Sequence, residues 1–496
     1  MTTKLYISRI EISNLFDMFT YDIKLNDDLT IITSPNGYGK STILRMINNL
    51  TSGNYYSFLH ESFSKVVFYL SENIDENEKK KKKAAIAKDL FGDFFNDGDD
   101  FFNIFDIEDD TNSLRYKIEI IKNNRVITIS DVNVDDSPTA IVELPPENEL
   151  SALMSSIEAK TTISRIDYNS WMNDYTGEIF NSRELIYKHI DILNDEDRNR
   201  IFKNTTWLDN VVKRLNSYFI STDRIRSNFT RSRHFRSRSR NEKSSSMIDN
   251  LAALISEKIQ DGIRNQFEIG RKKETTFPER LIQSLNKNNN DKNIVNEREL
   301  LSLISDIQKY EDDFSKLGLI SESTSRTTSQ LSSFFDYENS GTGNVVLKIY
   351  LDDIKSKFKA LDNLADQLRL FTETLNDLIS FKEIKIDSRK GFVVQPKNGR
   401  KMINISELSS GEQHMIVMIG KLIFESKKGD LILIDEPEIS LHPSWQEGYI
   451  ASLEQIRKKR EFKILMATHS TMIIGNRWNE VVELNDFVRG GQSIHE

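Results

Sequence analysis

The chain has no cysteine, which excludes disulfides and thiolate metal sites. It has only 8 prolines in 496 residues, which argues against long disordered linkers. No apolar run approaches the length of a membrane span, and the amino terminus, Met1-Thr-Thr-Lys-Leu-Tyr6, has no apolar signal-peptide core. A cytoplasmic protein is therefore expected. Positive charge is not in surplus either: 67 Lys and Arg stand against 76 Asp and Glu, a net charge of −9. The whole molecule is no generic nucleic-acid binder, and any basic character that matters must be local. Charged residues make up 29% and apolar residues 38%, so a large core and long polar, helical surfaces are both expected. The length suits about three average domains. No tandem repeat is present.

What the sequence does contain is organised around Ser34-Pro-Asn-Gly-Tyr-Gly-Lys-Ser-Thr42. A short apolar run, Leu29 to Thr33, precedes it, and a helical pattern, Thr42 to Leu50, follows. Strand, glycine-containing loop ending in Lys-Ser-Thr, then helix is the context of a phosphate-binding loop. Glycine lets backbone N–H groups turn inward around a polyphosphate, and the helix presents its positive end to the same anion. Lys40 would reach the β- and γ-phosphates of a nucleotide, and Ser41 would hold Mg2+. The usual pattern, G-x-x-x-x-G-K-[ST], has Gly where Ser34 stands. A tight turn that happens to read this way is the plain alternative.

Elsewhere the pattern alternates between strand and helix. Leu5 to Asn14 and Tyr21 to Leu25 read as strands, and Val66 to Leu70 as a buried one. Five lysines, Lys79 to Lys83, suit a solvated face. Leu90 to Asp110 mixes seven Asp with six Phe and reads as an irregular insertion. Tyr116 to Ile121 and Arg125 to Ser130 form a hairpin pattern. Glu149 to Ala159, Ser182 to Ile192 and Leu208 to Leu215 read as helices, and Ser217 to Ser221 as a buried strand. Arginines at 224, 226, 231, 233, 236, 238 and 240 then sit among serines and two Phe. Such a cluster suits phosphate or carboxylate recognition, Phe could stack bases, and a basic loop with no ligand is equally open. Helical patterns cover Met247 to Phe267, Glu299 to Leu317 and Val346 to Leu378. Pro278, Asn286 to Asn290 and Ser340-Gly-Thr-Gly343 read as breaks between them, giving a helical, partly coiled-coil insertion. Strands resume at Phe381 to Ile386 and Gly391 to Gln395.

The last part of the chain holds more chemistry. Leu408-Ser-Ser-Gly-Glu-Gln413 precedes an apolar helix, Met415 to Phe424, and makes a second anion-ready helix start. Asp430-Leu-Ile-Leu-Ile-Asp-Glu-Pro437 reads as a buried parallel strand. It puts Asp435 and Glu436 at its carboxy end, where ligands sit in open α/β sheets. Asp435 can bind Mg2+, and Glu436 can orient or deprotonate a water. Pro443 suits the first turn of the next helix. Phe462 to Ala467 is another buried strand, ending in Thr468-His469-Ser470, where His469 could meet a γ-phosphate and the attacking water.

Taken together, Ser34–Thr42, Leu408–Gln413, Leu431–Pro437 and Thr468–Ser470 resemble the ABC-type ATPase head of the RecF, SMC and OLD group. The likeness covers the chain up to about Leu70 and from about Lys397 on, with strands between. It implies an α/β fold: an ABC-type head with a phosphate loop, a mixed sheet with helices, and the helical insertion. The expected domains are 1–240 and 381–496 for the two lobes of the head and 241–380 for the insertion. It also implies ATP and Mg2+ as cofactors. Asn36, Gly37, Gly39, Lys40, Ser41 and Thr42 would bind the nucleotide, Ser41 and Asp435 the metal, and Glu436 and His469 would be catalytic. Such heads dimerise head-to-tail around ATP, so Ser409, Ser410, Gly411 and Glu412 would approach the γ-phosphate from a second copy. A switch residue is expected near Ser221-Thr-Asp-Arg224.

Glu438 to Gln446, Thr468-His-Ser and Arg477 to Leu484 look more narrowly like ATPases of bacterial anti-phage operons: the AriA type of PARIS systems, or the PtuA type of Septu systems, including retron-associated ones. In those systems the ATPase resembles a sensor and scaffold, built into assemblies such as a hexameric ring. A separate nuclease, TOPRIM-like or HNH-like, is the effector, and a phage protein is the trigger. Only 26 residues follow Ser470, too few for a nuclease domain, so the effector is expected on another chain. Slow, regulatory hydrolysis is expected, since a sensor needs two states more than flux. The alternative is a RecF- or SMC-like ATP-dependent DNA-binding protein of repair or maintenance, with nucleic acid as partner. The large insertion and the Glu-Pro-Glu-Ile-Ser-Leu-His-Pro run argue against a transporter subunit.

Overall fold

The computed structural model describes residues 4–72, 114–134, 138–167, 169–174, 179–221, 246–290, 297–320, 341–399, 401–439 and 441–484. The lysine run 79–83, the Phe- and Asp-rich stretch 90–110, the arginine cluster 224–240 and most of the 221–224 switch candidate lie outside them. The chain divides into two compact units. The first takes residues up to Ser221, Lys427–Pro437 and the chain from Glu461 on. The second takes Thr222–Ser426 and Glu438–Arg460.

In the first unit, antiparallel and parallel pairings are separated into different sheets. An antiparallel sheet of seven strands runs in the order β11-β7-β6-β5-β4-β1-β2. Its members are β1 (Leu5–Leu15), β2 (Phe19–Lys24), β4 (Lys65–Glu72), β5 (Leu114–Asn123), β6 (Val126–Asp131), β7 (Ala140–Glu143) and β11 (Phe202–Lys203). Strict alternation in β2 sends Phe19, Tyr21 and Ile23 inward. Asn124, at positive φ, begins the two-residue turn between β5 and β6.

A second sheet is wholly parallel, in the order β12-β15-β16-β3-β17. It consists of β3 (Leu29–Thr33), β12 (Ser217–Ile220), β15 (Leu431–Asp435), β16 (Lys463–Ala467) and β17 (Val481–Glu483). The inner strands are near-continuous apolar runs because both faces are covered. Each buried Ile, Leu or Met contributes roughly 1.5–3 kcal/mol. The strand read as buried at Ser217 to Ser221 is instead an edge strand, half-buried over most of its length. The helix α1 (Lys40–Thr51) packs on this sheet against β12, β15 and β16. One continuous core joins the two sheets, from Leu5 and Ile10 through Ile43 and Met46 to Leu433, Leu465 and Leu484. Strands β8 (Ile163–Asp167), β9 (Ser170–Asn173) and β10 (Ile179–Phe180) form a small outlying sheet. The helices α2 (Glu147–Lys160) and α3 (Ser182–His189) pack on it, α4 (Asp195–Ile201) packs instead on β7 and β11, and α5 (Thr206–Val212) precedes β12.

The second unit is mainly helical. Its first helix, α6 (Met247–Asn290), runs through both Pro278 and the Asn-rich stretch that the sequence marks as breaks. Proline removes an i→i−4 bond and crowds the preceding turn. Here Arg280 donates to the Lys273 carbonyl at 2.8 Å. Its guanidinium also grips buried Asp353 through two bonds of 2.7 and 2.6 Å. Asp353 belongs to α8 (Gly341–Lys359), so tertiary contact holds the helix on both sides of the proline. Of the break expected at Ser340 to Gly343, the described residues from Gly341 on begin α8. Val346 to Leu378, read as one pattern, is divided at Ala360-Leu361 into α8 and α9 (Asp362–Leu378). With α7 (Glu297–Lys316), α8 shares Tyr310, Phe314 and Phe358, whose rings stack, tilt or meet edge-on with centres 5.6–6.0 Å apart. The hairpin β13 (Lys382–Asp387) and β14 (Gly391–Pro396) follows. Then come α10 (Ser410–Phe424), apolar nearly all round, and α11 (Pro443–Arg460), which begins on its proline as expected. Among the described residues no helix is long and apolar enough to cross a membrane.

Candidate functional site

Three strands of the parallel sheet end side by side, and each carries a predicted site residue past its carboxy end. From β3 the chain enters the Ser34–Thr42 loop and turns into α1. Gly37 and Gly39 sit at φ 90° and 88°, a region that costs a side-chain residue energy. A Cβ on Gly39 would also lie 2.6 Å from Leu15 Cδ2. Ser34 is not among the positive-φ residues, so the first position of the loop does not demand glycine. The departure from the usual pattern is thereby accounted for conformationally.

Lys40 is buried, 5% exposed. Its ammonium donates to the Ser34 carbonyl at 2.8 Å and the Pro35 carbonyl at 3.2 Å, with Ser34 Oγ at 3.4 Å. His469 Nδ1 approaches the same ammonium at 3.5 Å. From the next residue, Ser41 Oγ donates to Asp435 Oδ1 at 2.9 Å. Asp435 is the last residue of β15 and is buried. Glu436 follows at φ 44°, an uncommon conformation for a side-chain residue. Its N–H donates to the Ala467 carbonyl at 2.9 Å, which ties the end of β15 to the end of β16. Glu436 Oε1 lies 3.8 Å from His469 Nε2. Thr468 N–H donates to the Ile32 carbonyl at 3.1 Å, which fixes the His469 backbone against β3. Asn36 and Gly37 stay exposed, while Thr42 is buried and accepts from Arg45 Nη2 at 3.0 Å.

The structure therefore brings together Ser34, Lys40, Ser41, Asp435, Glu436 and His469, from segments more than 390 residues apart. A hydroxyl and a carboxylate at hydrogen-bond distance are hard-oxygen donors of the kind Mg2+ takes beside nucleotide phosphates. With the positive-φ glycines and Lys40, they fit a magnesium-bound nucleoside triphosphate.

Ser409, Ser410, Gly411 and Glu412 lie in the second unit, where the structure brings them together with one another. Ser409 and Ser410 are exposed, and Gly411 and Glu412 buried. Glu412 Oε2 accepts from the Ser409 N–H and hydroxyl, each at 2.9 Å, and the Glu412 N–H donates back to Ser409 Oγ at 3.3 Å. This is a capping box. Lys382, on β13, closes it with two bonds of 2.6 and 2.8 Å to the Glu412 carboxylate. Burial works to raise the Glu412 pKa, but the Lys382 ammonium and the Ser409 donors outweigh it and hold it below the ordinary range.

Two contacts escape motif reading. Lys382 carries no motif signal. Tyr21 donates its hydroxyl to the Tyr38 carbonyl at 2.7 Å, within the phosphate loop; only the inward alternation of β2 hints at it.

Residues 267–475 match the family model described as "AAA domain, putative AbiEii toxin, Type IV TA system". The match takes in Ser409–Glu412, Asp435–Glu436 and His469, spans less than half of the chain, and excludes the phosphate loop. The chain is similar to the zinc uptake system ATP-binding protein ZurA of Listeria monocytogenes, 26% identical over 93 residues, 19% of this chain and 35% of that protein. It is also similar to the energy-coupling factor transporter ATP-binding protein EcfA2 of Spiroplasma kunkelii, 24% identical over 157 residues, 27% of this chain and 50% of that protein. The chain thus spans half or less of the length of these two relatives. Among solved structures, the Smc head domain of Pyrococcus furiosus with an extended coiled coil aligns at 14% identity and a TM-score of 0.35, over 97% of this chain and 93% of that one. The chain's own sheet topology and loop geometry describe an α/β fold, with a strand–glycine loop–helix site at the end of a parallel sheet and a mainly helical second unit.

Proposed function

We propose that this chain is an ABC-type ATPase acting as the sensor and scaffold subunit of a bacterial anti-phage complex, holding a separate nuclease until a trigger arrives. The observation that carries the ATP reading is the contact of Ser41 with Asp435 beside the buried ammonium of Lys40. In this reading the loop amides and the amino end of α1 take the phosphates, and Lys40 exchanges the Ser34 and Pro35 carbonyls for the β- and γ-phosphates. Ser41 and Asp435 would hold Mg2+, whose charge would offset that of the transferring phosphoryl group. Glu436 accepts the proton of the attacking water, and His469, near both Glu436 and Lys40, lies where it can meet the γ-phosphate. Ser409 to Glu412 of a second copy complete the site. ATP then closes a head-to-tail dimer, within a larger ring, and hydrolysis releases it.

The similarity to two ATP-binding proteins supports the nucleotide. The defence role is supported by the family model's description, which names a toxin of a toxin–antitoxin system, and by the Glu438–Gln446 and Arg477–Leu484 segments. The test is affinity purification of the chain co-expressed with its neighbouring genes, from the wild type and from Lys40→Ala. The expected result is ATP binding and a co-purifying nuclease in the wild type, with ATP binding lost in the variant. An ATPase that carries no partner but binds DNA with steep salt dependence would replace the defence reading with a DNA-maintenance one. A wild type that binds no ATP would end both.

A further inference from the structure

We infer that Tyr21 is a positioning residue for the phosphate loop, its buried hydroxyl holding the Tyr38–Gly39 peptide in the orientation that phosphate binding uses. The inference rests on the ATP reading above. Tyr21 lies on β2 opposite Ile12 of β1 and is 1% exposed. A phenol buried so deeply needs a hydrogen-bond partner. Its 2.7 Å bond to the Tyr38 carbonyl joins the antiparallel sheet to the loop.

The contact is braced on two sides. The ring of Phe19 stacks on Tyr21, with centres 5.8 Å apart and planes at 10°, and also on Tyr38, at 5.1 Å and 29°. The β1–β2 turn carries Phe16 and Asp17 at positive φ. It seats Leu15 and Phe16 against Gly39, so closely that a Cβ there would be 2.6 and 3.3 Å from them. The side chain of Tyr38 is thus held by a stack, its carbonyl by a hydroxyl, and Gly39 by the turn.

A trans peptide is planar, with its C=O and N–H pointing opposite ways. Fixing the Tyr38 carbonyl toward Tyr21 therefore turns the Gly39 N–H away from β2. Without the hydroxyl this peptide can rotate, and a loop that must be reordered binds its anion more weakly. Nucleotide affinity should suffer, while the chemical step on bound ATP should not.

Tyr21→Phe removes the hydroxyl and keeps the ring, its stack and nearly all its volume. Tyr55→Phe is the control. It removes another buried phenol hydroxyl of the same unit, bonded to Asp209 at 2.9 Å. Each variant of the full chain is titrated with Mg-ATP and Mg-ADP, assayed for steady-state hydrolysis, and melted without nucleotide. For Tyr21→Phe the expected result is about tenfold weaker binding of both nucleotides, the scale of one hydrogen bond. The KM for ATP should rise by a similar factor, kcat should stay within about twofold, and Tyr55→Phe should bind as the wild type does. Unchanged affinity in Tyr21→Phe would overturn the inference, and so would equal weakening in Tyr55→Phe, which would mark a general loss of stability. Lys40→Ala separates this from failure of the ATP reading. If the wild type binds ATP and Lys40→Ala does not, a normal Tyr21→Phe overturns this inference alone. If the wild type does not bind, both fall.

Discussion

The phosphate-loop end of the parallel sheet and the Ser409–Glu412 turn are both helix starts rich in small polar residues, yet they are closed in opposite ways. The first is convergent. Lys40, Ser41, Asp435, Glu436 and His469 arrive from three strand ends, and their contacts are made to one another and to the loop carbonyls. The second is self-contained. Its carboxylate is satisfied by Ser409, one turn back, and by Lys382, leaving Ser409 and Ser410 exposed. Contacts of the first kind can be exchanged when a ligand brings better partners, as the lysine's carbonyl contacts would be for phosphate. Contacts of the second kind fix the geometry of a surface that is then presented unchanged. Chemistry is expected in the convergent region and rigid recognition in the self-contained one.

The strongest way to break that comparison is Glu436→Gln, which keeps the shape of the side chain and removes its basicity. If Glu436 takes the proton of the attacking water, kcat for ATP hydrolysis falls about a hundredfold or more, while the dissociation constant for Mg-ATP stays near the wild-type value. Single-turnover hydrolysis alongside equilibrium titration measures both. An unchanged kcat would leave the convergent region as a binding site whose base lies elsewhere.

Lys382→Met tests the other half. Methionine keeps much of the stem and removes the ammonium, so Glu412 stays buried with only Ser409 to satisfy it. Turnover is expected to fall about tenfold, the scale of one lost charge-assisted hydrogen bond, with nucleotide affinity unchanged, because no group of the phosphate loop touches Lys382 among the described contacts. The pH dependence follows from the sign of the Glu412 shift. Its folded pKa lies below the ordinary glutamate value of the unfolded chain. The stabilisation is therefore fully present above that value and is lost as pH falls through the lower, folded pKa. Without the ammonium the folded pKa moves back toward the unfolded value, so less stabilisation is present at neutral pH and less is left to lose in acid. Melting midpoints of both proteins measured from neutral to acid pH should diverge most at neutrality and converge in acid. Parallel curves would mean that Lys382 does not hold this carboxylate.

How far these two regions could be read from sequence follows from how local their determinants are. Leu29 to Thr33, the Ser34–Thr42 loop and α1 were legible because the strand, the turn chemistry and the helix start are written in consecutive residues. The same holds for Leu431 to Asp435, whose apolar run ends on the carboxylate. Pro278 misled because proline is a local stop signal, and what overrides it, Asp353 gripping Arg280, comes from 73 residues away. Val346 to Leu378 read as one helix because apolar spacing continues on both sides of Ala360-Leu361 and no glycine or proline marks the turn. Ser217 to Ile220 has the composition of a buried strand, but its place at the sheet edge is a property of topology. The Lys382–Glu412 and Tyr21–Tyr38 contacts are side-chain meetings that no motif encodes, although alternation in β2 does place Tyr21 inward.

The smallest expected effect sharpens the convergent half. Ser34→Gly restores the usual first residue of the loop. The Ser34 carbonyl, which takes the shorter bond from Lys40 at 2.8 Å, survives the change. Only the hydroxyl at 3.4 Å is removed, and at that distance it is a weak partner. Freed of it, Lys40 should exchange its loop contacts for phosphate slightly more easily, so ATP affinity or turnover should rise by about threefold at most. Because Ser34 does not occupy positive φ, glycine gains no conformational relief there. Its extra freedom in the unfolded chain should lower stability by roughly 0.5–1 kcal/mol. A rise in turnover of tenfold or more, with the melting midpoint slightly lowered, would mean that the hydroxyl restrains Lys40 far beyond what its distance suggests. The serine would then act as a brake on the site.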